Sequence, residues 1–442
     1  TFWGNLDAFY LLCSFTSYIV SSTSPGEAYK SPGRLLMAVK EALLAVLIAA
    51  LLMGSVRAAA LAGVKRPLFS VAPMMDYTDR HFRFLFRLLS KETVLWTEMV
   101  TAQKVVHAPD DALLDRFLAY SPQEEPLVLQ LGGSDPDVVR GAARIASDFG
   151  YDEVNLNCGC PSERVAGKGC FGAALMREKD LVADIMQAVQ EGMPGLPASV
   201  KCRVGVDEMD SYDEFRDFVA TIHERAGVEH FVVHARKALL GKKFTPEDNR
   251  KIPKLQYDRV LRLMQDMPQL RVTINGGITT FEEIDRFLEA GCSGVMIGRA
   301  AIYRPFYWSR VDELVYGRDP PESGELVATP LGQFPERSRG AVLQQYCAYA
   351  EEQLADEEIR IRRFLGKPLQ NLFAGERSGK RYRKALDENI CNPEQSFSQV
   401  VWAAAKELPE EVLAALPEEA CLSNSADYEG SSLRAGVWAT AA

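Results

Sequence analysis

The stretch Tyr151–Met176 reads YDEVNLNCGCPSERVAGKGCFGAALM, and its opening decides how the rest of the chain is read. Glu153–Leu156 has the length of a short strand and stops in Asn157-Cys-Gly-Cys-Pro161. A thiol between a glycine and a proline, just past a strand end, sits on a tight exposed turn. Barrels and other α/β enzymes carry their reactive groups at such places. An arbitrary cysteine is more often a small buried apolar residue. Cys160 is read the other way because a site assembles around it.

Working outward, runs of β-branched and apolar residues alternate with longer amphipathic stretches from Leu68 onward. The strand candidates are Leu68–Met74, Val94–Val100, Leu127–Leu131, Glu153–Leu156, Ala198–Arg203, His230–Ala235, Arg271–Asn275 and Gly294–Ile297. Between them lie helical patterns at His81–Leu89, Asp137–Phe149, Asp180–Glu191, Tyr212–Ala226, Tyr257–Asp266 and Phe281–Ala290. Continuous apolar strands point to a parallel sheet covered on both faces. Eight strand–helix units in about 240 residues match a (β/α)8 TIM barrel. A doubly wound sheet would advertise G-x-G-x-x-G after its first strand, whereas this chain runs through Asp76-Tyr-Thr-Asp79. The expected fold is α/β: a TIM barrel over 67–316, a linker over 317–335, and a smaller all-helical domain over 336–416.

Active sites of this fold lie at the C-terminal ends of the strands. Those ends carry Pro73, Met74 and Asp76; Glu98; Gln130 with two glycines; Asn157 and Cys160; Lys201 and Arg203; His234 and Arg236; Asn275-Gly276-Gly277; and Gly298-Arg299. Any one of these reads as a surface turn, but eight polar or backbone-exposing ends at one rim do not. After the last two strands, Gly276, Gly277 and Gly298 free backbone N–H groups beside the fixed charge of Arg299, a pattern for a phosphorylated ligand. Lys201 in the same rim suits a flavin, whose anionic reduced form a cation stabilises.

The bulk numbers bound the partners. The 442 residues carry a formal net charge of −10, and their nine cysteines show no repeating spacing. That excludes a disulfide framework and points to a reducing compartment or an organelle matrix. An acidic chain binds nucleic acid only where its positive charge is segregated. Such a segment exists: Arg360, Arg362, Arg363, Lys367, Arg377, Lys380, Arg381, Arg383 and Lys384 face a single acid, Glu376. It lies among helical patterns at Glu336–Leu354, Asp356–Phe373, Arg381–Glu388 and Pro393–Leu408. A solvated helix face is the ordinary reading of one charge run; the scarcity of acids favours RNA.

Residues 1–66 read as a separate leader. Its apolar run Ala42–Gly54, about a dozen residues, is too short to span a bilayer comfortably. With Lys40 before it and small residues after it, the segment resembles either a targeting sequence or a leader with no address. The compartment stays open between cytoplasm and, if the leader targets, a plastid or mitochondrion. Residues 417–442 read as a disordered tail. Cys158-Gly-Cys160 has no second Cys/His pair beside it, so no metal is expected.

Several motifs together resemble the tRNA-dihydrouridine synthases. They are Ser70-Val-Ala-Pro-Met-Met-Asp-Tyr-Thr-Asp-Arg80, Thr97-Glu-Met-Val100, Leu129-Gln-Leu-Gly-Gly133, Leu156-Asn-Cys-Gly-Cys-Pro-Ser162, Val200-Lys-Cys-Arg203, Val233-His-Ala-Arg-Lys237 and Asn275-Gly-Gly277. Arg164–Met176 and Asn249-Arg-Lys-Ile-Pro253 look like the branch acting on uridines 20 and 20a of the D-loop. The resemblance spans roughly residues 68–385. It implies a flavin-bearing barrel followed by a helical tRNA-binding domain, with bound FMN, NADPH as reductant and tRNA as partner. By motif, Pro73, Met74, Gln130, Lys201, His234, Asn275, Gly276, Gly277, Gly298 and Arg299 would hold FMN. Asn157 and Arg236 would touch the target nucleotide, and Arg250, Lys380 and Arg381 would meet the tRNA. Hydride would pass from flavin N5 to uracil C6, and Cys160 would protonate C5. A thiol with an ordinary pKa near ~8.5 is protonated at neutral pH, as an acid must be. No dinucleotide fingerprint is present, so NADPH would share the cleft with the RNA in a ping-pong order. Nothing implies a stable protein partner, so a monomer without membrane association is expected. Two rivals remain: a flavin barrel reducing a free pyrimidine, like the dihydroorotate dehydrogenases, and an RNA-binding flavoprotein without catalysis.

Overall fold

The computed structural model describes residues 69–162, 165–166, 171–320, 324–355 and 361–419. The leader, Cys170, Arg164, Arg360 and most of the 417–442 tail lie outside the described residues. Among the described residues no helix is long and apolar enough to cross a membrane.

Eight parallel strands form the central sheet: β1 Phe69–Val71, β2 Leu95–Trp96, β3 Leu127–Gly132, β4 Glu153–Cys158, β5 Ala198–Arg203, β6 His230–His234, β7 Arg271–Asn275 and β8 Gly294–Ile297. A short continuation of β2, Val100–Thr101, also pairs with β3. Each strand pairs with its neighbour in sequence, and β8 returns to β1 with Val295 opposite Phe69. Val94 closes the ring: its N–H donates to Phe69 and its carbonyl accepts from Val71, both at 3.1 Å. The fold is therefore a (β/α)8 barrel followed by helices.

The strand runs read from the sequence match these bounds within two residues except at β1 and β2. There Pro73 removes a ladder donor, and the chain leaves the sheet after Val71 and after Trp96. Four of the barrel helices named here start at side-chain caps. Asp79 accepts from Phe82 N–H ahead of α1 Arg80–Leu89. Asp135 caps α2 Pro136–Ala146, and α3 spans Lys179–Gly192. Ser211 and Glu214 form a capping box for α4 Tyr212–Ala226, which Gly227 ends at a φ of 65°. Next come α5 Tyr257–Asp266 and α6 Phe281–Glu289, boxed by Thr280 and Glu283. A side-chain cap of this kind is worth about 1 kcal/mol.

Alternation along the strands divides the core in two. Phe69, Val71, Leu129, Leu156, Val200, Val233, Ile274 and Ile297 belong to the large outer cluster under the helices. Ala72, Trp96, Val128, Val232 and Met296 form a small separate cluster. Other residues of that second parity are polar and buried, among them Gln130, Glu153, Asn155, Asn157, Ser199, His230, Thr273 and Asn275. Strands this apolar on one face and this polar on the other leave a hydrophilic shaft down the barrel.

The segment 317–335, read from sequence as a linker, contains a hairpin. Leu326–Thr329 pairs antiparallel with Gly332–Pro335. Phe334 packs over Gly340, where a Cβ would stand 2.6 Å from its ring. The alternation was too short to register among Pro, Gly and Glu. Beyond it lie α7 Arg339–Ala355, α8 Gly379–Asn389 and α9 Phe397–Ala405. Their shared core includes Leu85 and Leu89 of α1, so α1 is the seam to the barrel. At that seam Phe84 stacks on Tyr349 with centroids 3.8 Å apart, and His81 Nδ1 lies 2.8 Å from Tyr349 Oη.

Candidate active site

The turn after β4 is held from two sides. Asn157 Oδ1 accepts the N–H groups of Gly159 and Cys160 at 3.1 and 3.0 Å. Arg203, at the end of β5, donates Nε–H to the Gly159 carbonyl at 2.8 Å and Nη1–H to the Lys237 carbonyl at 3.1 Å. The Cys160 thiol is half-buried, whereas Cys158 is sealed among the helices. Burial pushes the Cys160 pKa up, against the pull of a Ser162 backbone bond, Arg203 and Lys201. At neutral pH the group is a thiol rather than a thiolate, which suits an acid and not a nucleophile.

Four cations crowd the neighbouring strand ends. Burial, reinforced by Arg203, pulls Lys201 down to about 8. Burial also brings Arg203 to about 10. His234 is driven well below its ordinary value by burial and then by Arg203, Lys201, Arg236 and Arg299, so its ring is neutral. Lys201 Nζ donates to Asn275 Oδ1 at 3.1 Å, and Asn275 Nδ2 donates to the Met296 carbonyl at 2.8 Å. Register places Asn157 beside Lys201, and His234 between Arg203 and Asn275. Arg236 donates to the Pro253 carbonyl. Arg250 keeps a buried Nε without a partner.

The cradle for a planar phosphorylated ligand is visible in the backbone. Gly276 and Gly277 have φ of 115° and 75°. A Cβ on Gly276 would stand 3.2 Å from His234 Nε2. Tyr257 Oη donates to the Gly276 carbonyl at 2.6 Å and fixes the turn. His234 Nδ1 is buried with no hydrogen-bond partner. An orphaned ring nitrogen, two glycine turns and a cationic rim fit a flavin phosphate.

The structure thus brings Gln130, Asn157, Cys160, Lys201, His234, Asn275, Gly276 and Gly298 to one rim, with Pro73 and Met74 at the end of β1 and Arg299 after β8. Lys380 and Arg381 lie apart on α8, and neither hydrogen-bonds a rim residue among the described residues. Their basic segment is less uniform than its composition implied. Glu376 is half-buried and pairs with buried Arg339 at 2.5 Å. Arg377, Arg381 and Lys384 meet Glu411, Glu407 and Glu388 at 3.4–3.9 Å. Arg362 is buried under the carbonyls of Asn392 and Gln395. Exposed pairs of this length are weak, so the face stays available to phosphates. Lys367 reaches the barrel, donating to the Asp76 carbonyl and lying 4.5 Å from the Tyr77 ring.

The sequence put Arg203 on the rim but not as a brace, and it gave His230 a helix or core position and Glu153 a strand position, each without a role. The signal was present for Arg203, which lies two residues beyond Lys201 and so shares its face. Among the described residues no group of His, Cys, Asp or Glu is placed to hold a metal ion.

The dihydrouridine synthase family model matches residues 70–407. The chain belongs to that family. Flavin-dependent reduction of tRNA uridines is the family's reaction. A Vibrio vulnificus tRNA-dihydrouridine(20/20a) synthase is 40% identical over 346 residues, 78% of this chain and 97% of the relative. A Synechocystis enzyme of the same name is 42% identical over 72% of this chain and 88% of its own length. The Escherichia coli one is 41% identical over 73% and 86%. All three alignments cover most of the relative's length.

Proposed function

We propose that this protein reduces uridine 20 or 20a of tRNA to 5,6-dihydrouridine, holding FMN in the barrel mouth and using NADPH as reductant. The observation that carries the reading is Cys160: a protonated thiol on a turn braced by Arg203 and Asn157, facing a cationic, glycine-lined rim. A bound reduced flavin supplies hydride. The chain's own residues do the rest. Gly276, Gly277, Gly298 and Arg299 would take the FMN phosphate, and Lys201 the electron-rich edge of the ring. Neutral His234 offers a hydrogen bond rather than a further charge. Asn157 and Arg236 would hold the uracil against the flavin in stacked register. Cys160 would give its proton to C5 as charge develops there, and solvent would return one to the thiolate. The names of the relatives support the choice of positions 20 and 20a. The exposed Lys380 and Arg381 support an RNA rather than a free base as substrate.

The test is a spectrum of the purified full chain, followed by NADPH oxidation with and without unmodified tRNA. A yellow protein that forms dihydrouridine in the D-loop, and loses that activity on Cys160→Ala while keeping flavin and tRNA, is the expected result. Proteins that reduce only free pyrimidines, or that bind tRNA without reducing it, would replace the reading with the corresponding rival.

A further inference from the structure

A chain of hydrogen bonds runs from the Cys160 turn through the barrel shaft, and all its donors point the same way. Gly159 and Cys160 N–H donate to Asn157 Oδ1, so Asn157 Nδ2 must face inward. It donates to Gln130 Oε1 at 2.8 Å. Gln130 is thereby fixed, and its Nε2 donates to Asn155 Oδ1 at 2.9 Å. Asn155 Nδ2 then donates to Ser199 Oγ at 2.8 Å. With its oxygen accepting, the Ser199 hydroxyl donates to Glu153 Oε1 at 2.5 Å. The run ends on a carboxylate whose two oxygens lie 3.1 and 3.0 Å from His230 Nδ1. His230 Nε2 meets Thr273 Oγ1 at 3.0 Å.

A buried amide has two orientations related by a flip, and the wrong one sets donor against donor. Main-chain N–H groups decide the direction at the top of this chain. Only an acceptor that cannot donate decides it at the bottom, and an ionised carboxylate is such a group. Burial pushes the Glu153 pKa up. His230, through its charge and hydrogen bond, and then Ser199 outweigh this, so the carboxyl stays below its ordinary value and ionised. Stability alone does not account for these buried polar groups, since apolar residues of equal volume are often no worse. Val128 and Val232 show that this shaft accepts such residues.

We propose that Glu153 and His230 are positioning residues that fix the Cys160 turn through Ser199, Asn155, Gln130 and Asn157. The catalytic meaning of this inference rests on the reading of Cys160 as proton donor.

The test compares Glu153→Gln, Ser199→Ala and their double variant with wild type as full-length proteins. Glu153→Gln is nearly isosteric, yet its amide can offer Ser199 an N–H and so permit the reversed direction. The first readout is the rate of Cys160 alkylation by iodoacetamide, followed by peptide mass spectrometry with Cys158 and Cys202 as buried internal references. Each single variant is expected to raise that rate about tenfold, the worth of roughly one hydrogen bond to the turn. The double variant should do no more than either single one, because both cut one route. Val232→Ala, which loosens the same shaft without touching the relay, should leave the rate unchanged. The second readout is dihydrouridine formation, expected to fall by a similar factor. Wild-type alkylation rates in both single variants, additive effects, or an equal rise in Val232→Ala would overturn the proposal. If wild type fails to reduce tRNA, the functional reading falls, and the alkylation series still decides the relay.

Discussion

Arg203 Nε lies 2.8 Å from the carbonyl oxygen of Gly159, so β5 holds the turn on which β4 presents Cys160. The guanidinium is buried, and a charge-assisted bond to a carbonyl contributes about 1.5–3 kcal/mol. Arg203→Met keeps the length and loses both bonds. Dihydrouridine formation is expected to fall at least about tenfold, with tRNA affinity nearly unchanged. Single-turnover kinetics against tRNA binding separates the two; a fall in affinity alone would show that Arg203 reads RNA instead.

Lys201 gives a pH signature. Its folded pKa is about 8 against an ordinary 10.5. Below about 8 the ammonium is charged in both states, and its burial cost stands in full. Between about 8 and 10.5 the unfolded chain binds the extra proton, so stability rises with pH across that window. Lys201→Met in flavin-free protein should therefore be more stable than wild type at pH 7, less the lost bond to Asn275. That advantage should shrink by on the order of 2–3 kcal/mol by pH 10.5. Urea midpoints at both pH values measure it; an unchanged gap would rule out charge burial as the cause.

Gly276 combines a φ of 115° with a neighbouring His234 ring 3.2 Å from where a Cβ would stand. Gly276→Ala is expected to cost about 1–3 kcal/mol of strain and to lower flavin content, read as the ratio of flavin to protein absorbance. Gly227, at a φ of 65° with open space around it, is the control: Gly227→Ala should lose stability and keep its flavin.

Gly379 opens α8 against the main chain, and a Cβ there would overlap the Phe373 carbonyl oxygen. Gly379→Ala should destabilise the helical part by about 1–3 kcal/mol. Because Lys380 and Arg381 follow directly, tRNA affinity should drop while the flavin spectrum stays unchanged. Loss of flavin instead would mean that the seam along α1 transmits the damage to the barrel.

The basic residues of the C-terminal part should separate by burial. Lys380 is exposed; Lys380→Ala is expected to weaken tRNA binding two- to threefold and to lower the salt slope by about 1. Arg362 is buried and bonded to two carbonyls, so Arg362→Ala should lower the unfolding midpoint first. Filter binding at several salt concentrations, alongside urea denaturation, distinguishes the two.

Period and caps carried most of the fold in the sequence. Strands buried on both sides announce themselves as runs such as Phe231–Val233, and boxes such as Ser211 with Glu214 mark where helices begin. These are local signals, so one chain sufficed to read them. The rim was legible for the same reason: residues ending consecutive parallel strands must share a face. The hairpin at 326–335 was not, because two four-residue strands carry too little pattern against Pro and Gly.

What the tertiary structure alone decided is which polar residues meet. Glu153, His230 and Ser199 sit on three strands, separated in sequence by up to 77 residues, and nothing local ties one to another. Register brings them together in the shaft. The same holds for Arg203 against Gly159, and for the acids of α8 and beyond that partly answer a segment basic by composition. Sequence sets which face of a strand each side chain takes, because that alternation is a property of the backbone. Closure of the barrel sets the partner across the shaft, because that depends on the stagger of eight strands at once.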